Sequence, residues 1–255
     1  MTYRAKEKDR DRILHFLQFN KTMNLFAIED IINCKIDSKN LQVYLDREEK
    51  FNIVYTLYYD HLVISGKKDS KIDLDFIKKL DTKGLIGDYA GDDELICGNI
   101  IDGYYLQKAY LLSLDKLLEE VDTSEVVKGE DRDIDQLVES EIKVFKNKIN
   151  VDAYKDEIRN NSKRFHIIKK DGKIISAAST SAESTYSAMI VGVFTLEEYR
   201  NNGYAKKVVI SLCKELINEN KTCCLFFDNP IAGNMYRKIG FKDAGIYSIM
   251  RKRND

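Results

Sequence analysis

The stretch Val193-Phe194-Thr195-Leu196-Glu197-Glu198-Tyr199-Arg200-Asn201-Asn202-Gly203-Tyr204-Ala205 carries more information than any other part of this sequence. It reads as the end of a strand, a polar loop, and a glycine at the mouth of a long amphipathic helix running from Tyr204 to Asn218. The first N–H groups of such a helix have no intrahelical partners and stand at the positive end of its dipole. They offer a seat for a phosphate or pyrophosphate. Gly203 lets the backbone come close to that anion, and Ala205 keeps the next inward position small. Taken alone, the stretch is also compatible with an ordinary strand–loop–helix turn.

Working outward, Ser187 to Thr195 is the strand that feeds the loop, and Thr222 to Phe227 is a buried strand after the helix. A short helix from Ile231 to Ile239 and a last strand from Ala244 to Met250 follow. Upstream, Phe165–Ile168 and Lys173–Ala178 flank the hairpin signal Lys170-Asp171-Gly172. Asp131 to Val144 is a helix whose apolar positions Ile134, Leu137, Val138 and Ile142 fall close to one face. The order predicts an α/β (α+β) fold with a mixed central sheet and flanking helices.

A polar stretch from Glu119 to Glu130 suggests a division into residues 1–120 and 125–255. The first part reads as helices at Asp11–Phe19 and Leu25–Ile32, then a strand at Leu41–Leu45. A hairpin or meander follows at Phe51–Tyr59 and His61–Ser65, then a helix at Lys71–Leu80. A short strand at Leu85–Tyr89, a helix starting at Asp92 and a strand at Gln107–Leu114 complete it. This alternation lacks any phosphate loop. It fits a degenerate copy of the second half that completes the sheet, shapes a pocket or forms a homodimer contact. An independent ligand-binding domain is the competing expectation. Tyr44, Tyr55, Tyr58, Tyr59, Tyr89, Tyr104 and Tyr105 are candidates to line a pocket or simply to cover sheet surface.

Composition bounds the function. At about 150 residues per domain, 255 residues make one large or two small domains. Lysine plus arginine number 41 and aspartate plus glutamate 42, a balance that argues against a dedicated nucleic-acid binder. No stretch is apolar enough for a membrane span, and the charged start, Met1 to Lys8, has no secretion-signal pattern. A soluble, cytoplasmic protein is expected. Cys34, Cys97, Cys213, Cys223 and Cys224 are scattered, with no CxxC pair, so reduced thiols are expected rather than disulfides or zinc. Gly98-Asn99-Ile100-Ile101-Asp102-Gly103 has the glycine spacing of a Walker A loop, but Tyr104 and Tyr105 stand where Lys and Ser/Thr belong.

Past the Thr222–Phe227 strand comes Asn229-Pro230-Ile231-Ala232-Gly233-Asn234-Met235-Tyr236-Arg237-Lys238-Ile239-Gly240-Phe241. With this second motif in register, the chain from about Glu125 to Met250 resembles the GNAT acetyltransferase superfamily, and its details resemble the FR47-like branch related to glycine N-acyltransferases. The resemblance implies acetyl-CoA, and no metal, in a V-shaped opening between the Ser187–Thr195 and Thr222–Phe227 strands. Val193, Phe194 and Thr195 would flank the pantetheine arm, with the backbone of Val193 and Thr195 pairing to it as an added strand would. The loop Arg200, Asn201, Asn202, Gly203, Tyr204 and Ala205 would hold the pyrophosphate. Asn229 and Asn234 would lie along the pantetheine, and Tyr236 would protonate the leaving thiolate as general acid.

The acceptor implied is a small-molecule amine or amino-acid-like compound attacking the thioester directly. Its base is open: the Ser187–Val193 strand offers no carboxylate, which leaves Glu183 in the preceding loop and His166 as candidates. Two other readings compete with the enzyme, a non-catalytic acyl-CoA sensor and a nucleotide-binding protein using the Gly203 loop.

Overall fold

The computed structural model describes residues 2–67, 70–80, 82, 84–87, 104–146, 151–159, 163–227 and 229–252. By compactness the chain divides into two units, Met1–Leu111 with Ala244–Asp255, and Leu112–Asp243. The helix expected from Asp92, Cys97, Tyr89 and the Gly98–Gly103 stretch lie outside the described residues.

The first unit opens with β1 (Tyr3–Arg4), α1 (Arg10–Leu17) and α2 (Leu25–Asn33). The strands β2 (Leu41–Leu45), β3 (Ile53–Tyr58) and β4 (His61–Gly66) then pair antiparallel in turn. Tyr59, at φ +52°, makes the β3–β4 turn. The short α3 (Leu74–Lys79) crosses to β5 (Gly84–Gly87), which lies parallel to β4 from His61↔Gly84 to Ile64↔Gly87. β6 is Tyr104–Leu114.

The second unit repeats this order. It has β7 (Val127–Lys128), α4 (Ile134–Phe145), α5 (Val151–Arg159), β8 (Phe165–Lys170), β9 (Lys173–Ser181) and β10 (Ser187–Thr195). Then come α6 (Tyr204–Asn218), β11 (Thr222–Phe227) and α7 (Pro230–Ile239). The last strand, β12 (Lys242–Lys252), pairs antiparallel with β5, and its residues from Ala244 onward belong to the first unit.

The repeat extends to details. In each unit a residue three before an aspartate closes a capping turn ahead of the first helix. Lys6 N–H donates to Asp9 Oδ2 at 2.8 Å, and Glu130 N–H to Asp133 Oδ2 at 3.1 Å. Just ahead of that turn, Ala5 N–H donates to Val43 and Gly129 N–H to Phe165, each tying the unit's short first strand to its neighbour. The first half is thus a second copy of the same α/β plan.

Strand alternation gives the second unit two cores. Ile168, Ile175, Ala178 and Ile190 pack under α6 and α7, while Ile167, Ile174, Ala177 and Phe194 pack under α4 and α5. Among the described tyrosines of the first unit, Tyr55 is buried and Tyr44 lies edge-on to Phe76 at 4.9 Å between ring centroids, whereas Tyr59 is exposed at its turn. Among the described residues no helix is long and apolar enough to cross a membrane.

Candidate active site

β10 and β11 are parallel and paired only from Ser187↔Thr222 to Ile190↔Leu225. β10 continues to Thr195 without that partner, and its register against β9 shifts between Val191 and Phe194. Gly192, at φ +59°, makes this bulge possible, because an L side chain resists that backbone. Leu196 N–H is bonded back toward β9, at Ile175. Alternation along the strand therefore turns the amides of Val193 and Thr195 toward the opened edge. Val193 packs against the α6–α7 core. Phe194 instead points its ring into the α4–α5 core, edge-on to Phe145, so of the cofactor contacts expected at this residue only its backbone is available. Thr195 shares its hydroxyl with Ser176 at 2.9 Å.

The loop that follows is built to leave α6 open. Gly203 is the N-cap residue at φ +76°, and no side chain caps the helix. A Cβ placed there would meet nothing within 4 Å, so no described side chain crowds the N-cap position. Side chains of the loop fold back on the loop itself. Arg200 Nε donates to the Thr195 carbonyl at 3.2 Å, and Asn202 Nδ2 to the carbonyls of Tyr199 and Arg200. Asn201 takes a left-handed φ of +66°. Tyr204 carries a cationic rim, with Lys170 and Lys207 4.7 and 5.9 Å from its ring centroid. Ala205 is half-buried in the first turn.

On the far side of the opening, Asn229 is the N-cap of α7, and its Oδ1 accepts from Ile231 N–H at 2.9 Å. Asn234 is exposed one turn on. Gly233 allows α7 to lie against β11, since a Cβ there would be 2.4 Å from the Phe227 ring. Tyr236 is buried beneath α7, edge-on to Phe241 at 5.8 Å. Burial, with Cys213 beside it, pushes its phenol up to about 12, so it is a protonated donor at any physiological pH.

The two base candidates lie elsewhere. Glu183 precedes β10, and nine residues of strand separate it from the loop, on the order of 25 Å. Its carboxylate is nearly inaccessible and held by Arg164 and by Lys221 at 2.6 Å. Arg164 also binds Glu215 and Glu219, each at 2.6 Å, and Glu215 binds His166 at 2.7 Å. Burial lowers the His166 pKa despite that carboxylate. Glu183 and His166 are therefore members of one ion-pair network.

Sequence reading passed over a different carboxylate. Glu141 is on α4, and a Cβ built at Gly192 would stand 2.5 Å from its Oε1. It is buried, and Tyr154 O–H donates to the same oxygen at 2.8 Å. The signal was present: position 141 is seven residues after Ile134 and three after Val138, squarely on the buried stripe of α4. A glutamate there is conspicuous against the apolar residues around it.

A model of the family described as GNAT acetyltransferase matches residues 23–250. Among solved structures, a Drosophila protein superposes with a TM-score of 0.70 at 12% identity, over 98% of each chain. An acetyltransferase from the GNAT family of Colwellia psychrerythraea gives 0.61 at 12%, over 100% of both. A tandem GNAT protein from the clavulanic acid biosynthesis pathway gives 0.56 at 9%, over 100% of this chain and 99% of that one. At these identities the likeness is one of fold. No curated protein sequence matches the chain.

Proposed function

The chain belongs to the GNAT acetyltransferase family, and on that footing we propose that it transfers an acetyl group from acetyl-CoA to a primary amine by direct attack. The observation that carries this reading is the open end of α6 beside an unpaired strand edge. Gly203 leaves the first-turn N–H groups uncapped, and β10 runs on past its last partner at Ile190. A pyrophosphate fits the first feature, because unsatisfied amides and the helix dipole both favour an anion. Lys170 at Tyr204 adds positive charge nearby, while Lys207 is paired with Glu125. The pantetheine arm fits the second, as a pseudo-strand bonded to the amides of Val193 and Thr195.

Tyr236 then serves as the general acid. Its high pKa keeps the proton on the phenol until a thiolate forms. Of the two asparagines expected along the arm, both exposed, Asn229 uses its side-chain oxygen to cap α7, which leaves Asn234 as the side-chain contact. Phe194 contributes backbone and packing. Glu183 has no part in the proton transfer.

The test is turnover with a panel of amino acids, polyamines and peptide amino termini, read as release of free thiol from acetyl-CoA. Wild type is expected to acetylate at least one of them, and Tyr236→Phe to retain acetyl-CoA binding with a much lower kcat. Equal rates for the two proteins would remove Tyr236 from the mechanism. Saturable acetyl-CoA binding with no turnover on any amine would favour a sensor instead.

A further inference from the structure

The bulge of β10 is bracketed by two serines of β9. Val191 pairs with Ser179, Phe194 with Ala177 and Thr195 with Ser176, so Gly192 and Val193 together stand opposite Ala178. The inserted residue interrupts the ladder just past Ile190, where the pairing of β10 with β11 ends. Among the described strands, residues 193–195 therefore have a neighbour on one side alone, across a broken register. A segment held in that way is among the first parts of a sheet to open locally. It is also the segment whose amides at Val193 and Thr195 are expected to receive the pantetheine arm.

Two side chains fix its far end. Ser176 is fully buried, and its Oγ donates to the Phe194 carbonyl at 2.7 Å and meets Thr195 Oγ1 at 2.9 Å. With its one proton given to the carbonyl, Ser176 Oγ accepts from the Thr195 hydroxyl. From the loop, Arg200 Nε donates to the Thr195 carbonyl at 3.2 Å. Thr195 is thus held through its hydroxyl on the sheet side and its carbonyl on the loop side. On one face the space at Gly192 is closed by Glu141, whose Oε1 lies 2.5 Å from the place a Cβ would take. Fully buried strand positions mostly carry apolar side chains, as Ile174, Ile175, Ala177 and Ala178 do around Ser176. A serine among them gains little from burial and is tolerated because its hydrogen bonds are made.

We propose that Ser176 is a positioning residue for the cofactor, its hydroxyl clamping Phe194 and Thr195 in the splayed course so that the amides of Val193 and Thr195 stand aligned before the arm arrives. The inference rests on the acetyltransferase reading above, and it gives a role to a side chain that touches neither cofactor nor acceptor. An edge aligned in advance binds an added strand without first having to be ordered. The clamp therefore acts on affinity for the arm. The pyrophosphate seat is set separately, by the uncapped end of α6 at Gly203.

The experiment is calorimetric titration of the full chain with acetyl-CoA and with 3′-phosphoadenosine 5′-diphosphate, the nucleotide part of that cofactor without its arm. Ser176→Ala should weaken acetyl-CoA binding about fivefold, the net worth of one hydrogen bond, and leave affinity for the nucleotide as in wild type. Thr195→Val removes the second hydroxyl and spares the bond to Phe194, so its effect should be smaller. Added to Ser176→Ala it should weaken binding no further, because the two hydroxyls act as one unit. Thr180→Val is the control. Thr180 is another fully buried β9 hydroxyl, but it is bonded to Arg164 N–H at 2.9 Å, on the β8 side. Its loss should lower Tm and leave both affinities alone. Unchanged acetyl-CoA affinity in Ser176→Ala would overturn the proposal. So would an equal loss for the two ligands, which is what a general loosening of the fold produces. A wild type that binds neither ligand would instead overturn the acetyltransferase reading, and this inference with it.

Discussion

In the first half the chain leaves β4 and enters α3 through Asp73, whose Oδ1 accepts from Phe76 N–H at 3.0 Å. In the second half it leaves β10 and enters α6 through Gly203, which has no side chain with which to do so. The plans of the two halves are otherwise alike, down to the capping turns at Asp9 and Asp133. At one place a carboxylate occupies the positive end of a six-residue helix, and at the other a fifteen-residue helix is left open. The preceding strands differ in the same sense. Among the described residues β4 keeps its parallel partner to within two residues of its end, while β10 runs five past Ile190 and bulges at Gly192. The two copies thus differ in what caps one helix and in how far one strand outruns its neighbour, the two features on which the proposed pyrophosphate site rests.

The largest effect is expected where that difference is erased. Gly203→Glu puts a negative charge at the open helix end, in a backbone conformation that resists any side chain. Acetyl-CoA binding by calorimetry should fall below detection. The reciprocal change, Asp73→Gly, should not create a second site, since β4 offers no comparable free edge. Acquisition of binding by the first half would show that the cap alone decides.

A second test uses α7, a helix with no described counterpart after β5. Tyr236→Phe should lower kcat about 100-fold with acetyl-CoA affinity unchanged, as expected when a general acid is lost. Loss of affinity in step with kcat would mean that Tyr236 shapes the cleft instead of donating a proton.

Stability provides a smaller contrast. The last turns of α6 reach the Arg164 network, and α3 is too short for an equivalent. Arg164→Ala should cost about 2 kcal/mol, below the usual loss for a buried pair because part of the network is solvated. It should be visible as a lower Tm. Burial pushes the Glu215 carboxyl up, but Lys128, His166 and Arg164 outweigh it and hold it at about 2. Arg164 and Lys221 hold Glu219 at about 2 as well. Both carboxyls are depressed, so their contribution is present above the ordinary value of 4.5 and lost as pH falls toward about 2. Wild-type Tm should drop through that window, and Arg164→Ala should flatten the drop. Parallel curves would mean that the network adds little.

The smallest effect belongs to the first half. Asp73→Ala removes the α3 cap and the bond from Thr2 Oγ1, for about 1 kcal/mol, with no change in acetyl-CoA affinity. A change in affinity would give this half a share in the cofactor site.

Much of this was legible in the residues, for local reasons. Ser187–Thr195, Tyr204–Asn218 and Thr222–Phe227 appear with the bounds their patterning predicts, because strong periodicity meets clear breaks at Arg200–Gly203 and Glu219–Lys221. The hairpin at Asp171-Gly172 forms with both residues at positive φ, as its composition requires. Helix α5 was missed although Val151, Tyr154 and Ile158 stand at helical spacing, since polar residues dominate between them. The pairing of β12 with β5 joins residues more than 150 positions apart, and no local pattern encodes a partner at that distance. Glu183 attracted attention by nearness in sequence to the central strand, whereas Glu141 is near it in space. A buried-face position held by a carboxylate is the pattern that would have pointed to it.

If one half alone holds the cofactor, calorimetric titration of the full chain with acetyl-CoA, wild type beside Gly203→Glu, will show it. Saturable binding of one acetyl-CoA per chain, abolished by the substitution, is expected. Two molecules bound per chain, or binding that survives Gly203→Glu, would contradict it.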